Sequence, residues 1–185
     1  FSNLPTIQVA DKQVNYKDTY HFLPEETADG NRITYKIKEG TAASLSFGNM
    51  LDLNSAGEVI MESSVEASPS ISKSTDEFKV TVQKAMLSLT ALNKEKVYGE
   101  VNPPLSIQSP YYSAMVDGLR GDDDLIEIDE LPVITSVADE TSSVGSYPIT
   151  FSGGFDDNYD FEFTPGTLTV TKATLQLVAD NKERQ

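Results

Sequence analysis

Two stretches of this chain say nearly the same thing. Val80–Lys96 reads VTVQKAMLSLTALNKEK and 168–184 reads LTVTKATLQLVADNKER, an offset of 88 residues at which ten of 17 positions are identical. Self-similarity at a fixed period marks tandem modules, and a period of this length holds a whole small domain rather than one solenoid unit. The repeat also carries a change of face. In EFKVTVQ, Phe78, Val80 and Val82 alternate with polar neighbours; in AMLSLTA the apolar set is Ala85, Leu87, Leu89 and Ala91. Strand side chains alternate faces, so the switch from even to odd positions across Gln83-Lys84 sends the apolar set to the opposite side. One strand in one sheet does not bury both sets. The expectation is a domain over 1–83, a second over 84–172, and in 173–185 the first strand of a truncated following repeat. Such an orphan strand seeks an edge to pair with, and is expected along domain two or a neighbouring molecule. The opening FSNLPTIQV has no signal-peptide pattern and reads as an excised start.

The rest of the chain is dense in strand signals. Apolar residues seldom recur at helical spacing, and Gly, Pro, Asn and Asp punctuate short alternating runs. The fold class is therefore all-β: two tandem small β domains, the first an Ig-like sandwich and the second a mostly antiparallel β domain. Strands are predicted at 6–9, 19–23, 32–38, 44–47, 50–53, 57–64 and 76–83, with Ile33, Tyr35, Leu45, Leu51, Val59, Phe78 and Val80 in the first core. LSFGNMLDL reads as a hairpin turning on Gly48-Asn49. In the second domain, 145–152 reads as a strand. Phe161 and Phe163 lead into a Pro165-Gly166 turn in which Gly accepts positive φ, and Leu168 and Val170 return. Acidic residues in GDDDLIEI predict a short helical turn.

Composition narrows function. With 14 Lys plus Arg against 29 Asp plus Glu, the formal charge is −15. That field repels nucleic acid and anionic lipid, which excludes nucleic-acid partners and gives no basis for direct membrane insertion. No run approaches a membrane-spanning length. There is no Cys, hence no disulfide framework and no thiolate metal site.

The second domain resembles the MBG family of bacterial surface-protein modules. The residues that carry the resemblance are Asn93, Lys94, Tyr98, Gly99, Asn102 and Pro103 in TALNKEKVYGEVNPPL, then Gly118, Gly121 and Asp122 in GLRGDD. Val144, Gly145, Tyr147 and Ile149 follow in SSVGSYPITFSG, and Asn158, Tyr159, Gly166, Leu168, Val170, Lys172 and Ala173 in NYDFEFTPGTLTVTKA. The first domain, through ITYKIKEGTAASLSFGNMLDLNSAGEVIMESS, is more loosely similar to bacterial Ig-like modules. These resemblances imply an extracellular, cell-surface or secreted, adhesin-like protein with no catalytic residues. They imply adjacent repeat modules of the same chain as partners. The stretch SIQSPYYSAMVDGLRGDDDLIEIDELP departs from the family as a long acidic insert.

Few residues suggest chemistry. The sole His21 has no second His or Cys with which to build a metal site or triad. Asp122, Asp123 and Asp124, and Asp156, Asp157 and Asp160, are the candidate calcium ligands, since calcium takes carboxylate oxygens from flexible loops. Neither run has EF-hand spacing, and solvated loop charge is the competing reading. No other cofactor is expected. Tyr111 and Tyr112 are the candidate ligand-binding residues: exposed aromatics stack on sugars or fill a partner's pocket, and the alternative is that they plug the core beneath their loop. Paired carboxylates hydrolyse glycosides in other settings, but pairs arise by chance among so many acidic residues. The glycines of SGGFDD lack the Lys and helix of a phosphate loop. The expectation is a non-enzymatic structural and interaction module of an adhesin-like stalk. The alternatives are a module binding glycan or host protein through the 107–131 loop, and an accessory region of a secreted hydrolase.

Overall fold

The computed structural model describes residues 5–19, 21–108, 110 and 113–179. Among these residues the chain is all-β, with no helix. Its strands are β1 (Lys12–Asn15), β2 (His21–Phe22), β3 (Thr34–Glu39), β4 (Ala43–Ser46), β5 (Met50–Leu53), β6 (Gly57–Val65) and β7 (Ser74–Gln83), followed by β8 (Ala85–Ala91), β9 (Lys94–Val97), β10 (Ala114–Asp117), β11 (Val133–Ser136), β12 (Gly145–Ser152), β13 (Tyr159–Thr164) and β14 (Gly166–Thr171). They condense into two compact units that do not follow chain order. One takes the chain up to Leu87 with Asp117–Leu131 and Phe155–Glu162; the other takes Ser88–Val116, Pro132–Gly154 and the chain from Phe163.

The first unit holds a four-stranded sheet in the order β1-β7-β6-β3 and a three-stranded sheet in the order β2-β5-β4. Val59, Met61 and Val65 of β6 and Phe78, Val80 and Val82 of β7 turn inward at every second residue, joined by Leu23, Leu51 and Leu53. Strand β1, which the sequence does not announce, runs parallel to β7. Only its Val14 is buried, too little alternation to read as a strand. Residues 6–9, predicted as one, form none, although Ile7 and Val9 are buried. The β4–β5 hairpin pairs Ser46 with Met50. Its positive φ angles fall on Phe47 and Gly48 rather than on Gly48-Asn49, and the Asn49 side-chain amide donates to the Leu23 carbonyl at 3.0 Å.

The second unit holds a four-stranded sheet in the order β11-β12-β14-β9. Ile149, Leu168 and Val170 are its fully buried centre. The strands expected to form a hairpin across Pro165-Gly166, β13 and β14, pair in different sheets, and Gly166 opens β14 with no positive φ. It is glycine because a Cβ there would lie 2.7 Å from the Ala91 carbonyl oxygen. The fourth sheet has the order β10-β8-β13. β7 and β8 thus belong to different sheets, and their buried sets, Phe78/Val80/Val82 and Ala85/Leu87/Leu89/Ala91, change parity across the single residue Lys84. Residues 121–128 form turns and no helix: Asp124 spends its carboxylate on the Ile126 amide at 2.6 Å, closing an Asx turn that competes with helix. Residues 172–179 form no strand and are exposed.

Taken pair by pair, the two four-stranded sheets have one register. Gly57 faces Val82 and Met61 faces Phe78; 88 residues on, Gly145 faces Val170 and Ile149 faces Gly166. Thr34 faces Ser64 as Val133 faces Ser152. Lys12 lies parallel to Val80 as Lys94 lies parallel to Leu168. The flanking polar bonds repeat as well. The Asp11 carboxylate accepts from the Lys79 amide at 2.7 Å, and the Asn93 side-chain oxygen accepts from the Thr167 amide at 2.8 Å. The Tyr16 amide donates to the Gln83 carbonyl at 2.8 Å, and the Tyr98 amide to the Thr171 carbonyl at 2.9 Å. The loops differ in length between the copies, while the strand pairing does not.

Candidate functional site

The densest polar cluster lies in the first unit, where the acidic insert meets the turn after β1. Asn15 and Asp18 close that turn, the Asp18 carboxylate accepting from the Asn15 amide at 3.1 Å. This presents Lys17, held at φ 48°, to the Asp123 carboxylate, with which it forms an ion pair. The second Asp123 oxygen accepts from the Tyr159 hydroxyl at 2.7 Å, and that hydroxyl accepts from the Arg120 amide at 2.8 Å. The Tyr159 ring meets Tyr16 edge to face, centroids 5.5 Å apart, a favoured aromatic geometry. Gly121 lets the insert approach, since its Cβ position is 3.3 Å from Lys17 Cδ.

The electrostatics follow from this enclosure. Desolvation pushes Asp123 upward, but the hydrogen bonds from Lys17 and Tyr159 together outweigh it and hold its carboxyl below the usual range. The bond to Asp123 raises Lys17. Burial, aided by Asp123, pushes the Tyr159 hydroxyl up to about 12. A carboxylate paired with an ammonium beside a neutral phenol is stable and unreactive. Asp123, Lys17 and Tyr159 are each shifted away from neutral pH, the opposite of what a general acid or base needs.

The other predicted residues are dispersed or turned to their own backbone. Asp156 is buried; its Oδ1 accepts from the Asn158 and Tyr159 amides at 2.7 and 2.9 Å, and its Oδ2 from the Asp129 amide at 3.2 Å. The Asp157 amide returns the bond to Asp129 at 3.2 Å. Asp122 is exposed, and Asp160 lies 3.9 Å from Lys84. Asp123, Asp124, Asp156 and Asp160 thus hold turn amides or ion-pair partners, and no group of three or more His, Asp or Glu among the described residues is arranged to hold a metal ion. His21 sits on β2 opposite Leu51. Tyr111 and Tyr112 lie outside the described residues. Sequence reading missed Lys17 and Tyr16. The only signal for them is the turn-forming Asn-Tyr-Lys-Asp at 15–18.

In the second unit the notable polar residue is Lys96, which is buried. It occupies the register position of Val14 in the first sheet. Its ammonium is met by the carbonyls of Glu100, at 3.0 Å, and Asp139, so a core position is closed by a cation gathering two loops. The Tyr98-Gly99 pair supplies the turn beside it, Gly99 at φ 89°. Residues 87–169 match the family model of the MBG domain (YGX type). The resemblance expected over 84–172 is thereby shown. The MBG domain is a non-catalytic module of the surface-protein type, in keeping with a polar cluster that locks loops rather than assembling reactive groups. No curated protein matches the chain.

Proposed function

We propose that the chain is a non-catalytic structural and interaction segment of a modular bacterial surface or secreted protein, an adhesin-like stalk, with modules meeting near residues 84 and 172. Its partners are neighbouring modules of the same chain. The observation that carries this reading is the shared register of the two four-stranded sheets: one architecture used twice within one chain is how repeat proteins gain length. The acidic surface suits such a stalk, keeping neighbouring copies apart.

The alternative, a glycan or host-protein site on the 107–131 loop, gains less support, because Arg120, Asp123 and Ile128 of that loop are engaged internally. Two measurements test the proposal. Antibodies raised against the 185-residue chain are expected to label intact cells that make the protein, and a glycan array probed with the chain is expected to stay silent. Labelling found only after lysis overturns the surface role. Saturable binding to one glycan class, lost on Tyr111→Ser/Tyr112→Ser, moves the assignment to a binding module.

A further inference from the structure

The two sheets share a register, so each residue at the end of the first sheet has a counterpart at the end of the second. In the first unit that end is covered. Tyr16 is 6% exposed, under the Tyr159 ring. The Ala56 amide donates to the Asn158 side-chain oxygen at 2.8 Å, and the Ala85 amide to the Asn158 carbonyl at 2.9 Å. Lys84 donates to the Asp156 carbonyl at 2.8 Å, with its ammonium 5.3 Å above the Phe155 ring. One segment, Phe155–Asp160, satisfies all four residues.

The counterparts of Tyr16, Ser55, Ala56, Lys84 and Ala85 are Tyr98, Ser143, Val144, Lys172 and Ala173. These five line one open hollow of about 470 Å3. Tyr98 and Val144 are each 50% exposed, and Lys172 and Ala173 are exposed. The chain that leaves the hollow repeats β8: Ala173, Leu175, Leu177 and Ala179 stand for Ala85, Leu87, Leu89 and Ala91. Leu87 and Leu89 are 0% exposed, while Leu175 and Leu177 are 80% and 87% exposed.

We propose that the face formed by Tyr98, Ser143, Val144, Lys172 and Ala173 is the docking surface for a further module of the same kind as residues 85–172, entered through 173–179. The incoming module seats its counterpart of Phe155–Asp160 there, its Asn taking the amides of Val144 and Ala173 and its Tyr covering Tyr98. Four of the five residues are identical to those of the occupied face, Val144 standing for Ala56, and their order and amide donors match it. The same geometry makes the first module, despite its Ig-like sequence flavour, a diverged copy of the second. The inference rests on reading the chain as strung modules, but the two fail separately: cell labelling tests the stalk, whereas the experiment below reads this face alone.

The offset of 88 supplies the test. Gln185 corresponds to Val97, so the full chain is continued after Gln185 with a second copy of residues 98–172, and amide exchange is followed by NMR. The Val144 and Ala173 amides are expected to exchange about fivefold more slowly than in the 185-residue chain, the effect of about one net hydrogen bond each. Replacing the added copy's counterpart of Asn158 with Ala is expected to restore fast exchange at Val144 and leave Ile149 protected. An added copy that stays unfolded, one that folds while Val144 and Ala173 still exchange freely, or protection of Val144 that survives the Asn replacement, overturns the proposal.

Discussion

The first sheet and the second pair their strands in the same register yet fill the interior differently. Where β7 places Phe78, 3% exposed, β14 places Gly166. Where β1 buries Val14, β9 buries Lys96 under two carbonyls. Register is set by backbone pairing and by which face is apolar. A large ring in one copy and a bare backbone in the other are both compatible with it, provided each interior is closed. Close packing demands only that volume be filled without overlap. The contrast shows that the architecture tolerates exchange of side chains at a level at which the strand pairing does not change.

The sharpest way to break that contrast is to make the two positions alike. Phe78→Ala removes a buried ring that also meets Tyr35 edge to face at 6.0 Å. It is expected to destabilise by about 3–5 kcal/mol, the range for truncating a core aromatic. Gly166→Ala makes the opposite change and is also expected to destabilise, by about 1–3 kcal/mol, because the new methyl group meets the Ala91 backbone oxygen rather than a side chain able to turn away. Urea melts of both variants check this. If Gly166→Ala is neutral or stabilising, the close approach to Ala91 is not what keeps position 166 bare.

A middle-sized effect belongs to Asp123. Removing it as Asp123→Ala leaves the Lys17 ammonium and the Tyr159 hydroxyl without their acceptor, which is expected to cost about 1–3 kcal/mol. The pH dependence carries a sign. Asp123 has a lowered pKa in the fold, so its contribution is complete above the unfolded carboxyl value near 4 and is lost as pH falls through the lower folded value. Tyr159 is raised to about 12, so its contribution is complete below the unfolded value near 10 and is lost as pH rises from there toward 12. Thermal melts across pH are expected to show a flatter acid limb in Asp123→Ala than in the parent. Identical acid limbs would show that the Lys17–Asp123 pair does not contribute.

Much of the fold was legible from periodicity alone. The alternation in Gly57–Val65 and Ser74–Gln83 gives strands with buried inward sets, and Gly145–Ser152 is the strand expected there, although only its Ile149 is fully buried. What escaped is what periodicity does not encode. β1 shows one apolar residue among polar ones, and its parallel partner lies 68 residues away in sequence. Lys96 in a core position reads as a solvated charge until the Glu100 and Asp139 carbonyls are brought to it. The Asp runs read as loop charge or calcium ligands, and only three-dimensional contact reveals Asp123 as the acceptor shared by Lys17 and Tyr159. The repeat visible in sequence links residues 84–96 with 172–184, and the likeness between the first and second four-stranded sheets lies in the backbone register rather than in the residues.

The smallest expected effect is the most discriminating between the two copies. Tyr16 and Tyr98 occupy one register position, and each donates its amide to the end of the neighbouring parallel strand. Their rings differ in surroundings: Tyr16 is covered by Tyr159, and Tyr98 is half exposed. Serine at position 98 keeps the amide bond and removes only the ring, so Tyr98→Ser in the 185-residue chain is expected to change stability by no more than about 0.5 kcal/mol, as surface substitutions usually do. Tyr16→Ser keeps the same amide bond but opens a cavity beneath Tyr159, and is expected to lie in the range of about 3 kcal/mol for a lost core aromatic. Paired denaturation curves measure the difference directly. Equal losses would mean that the two rings already share one environment, and that the face around Tyr98 has nothing left to receive.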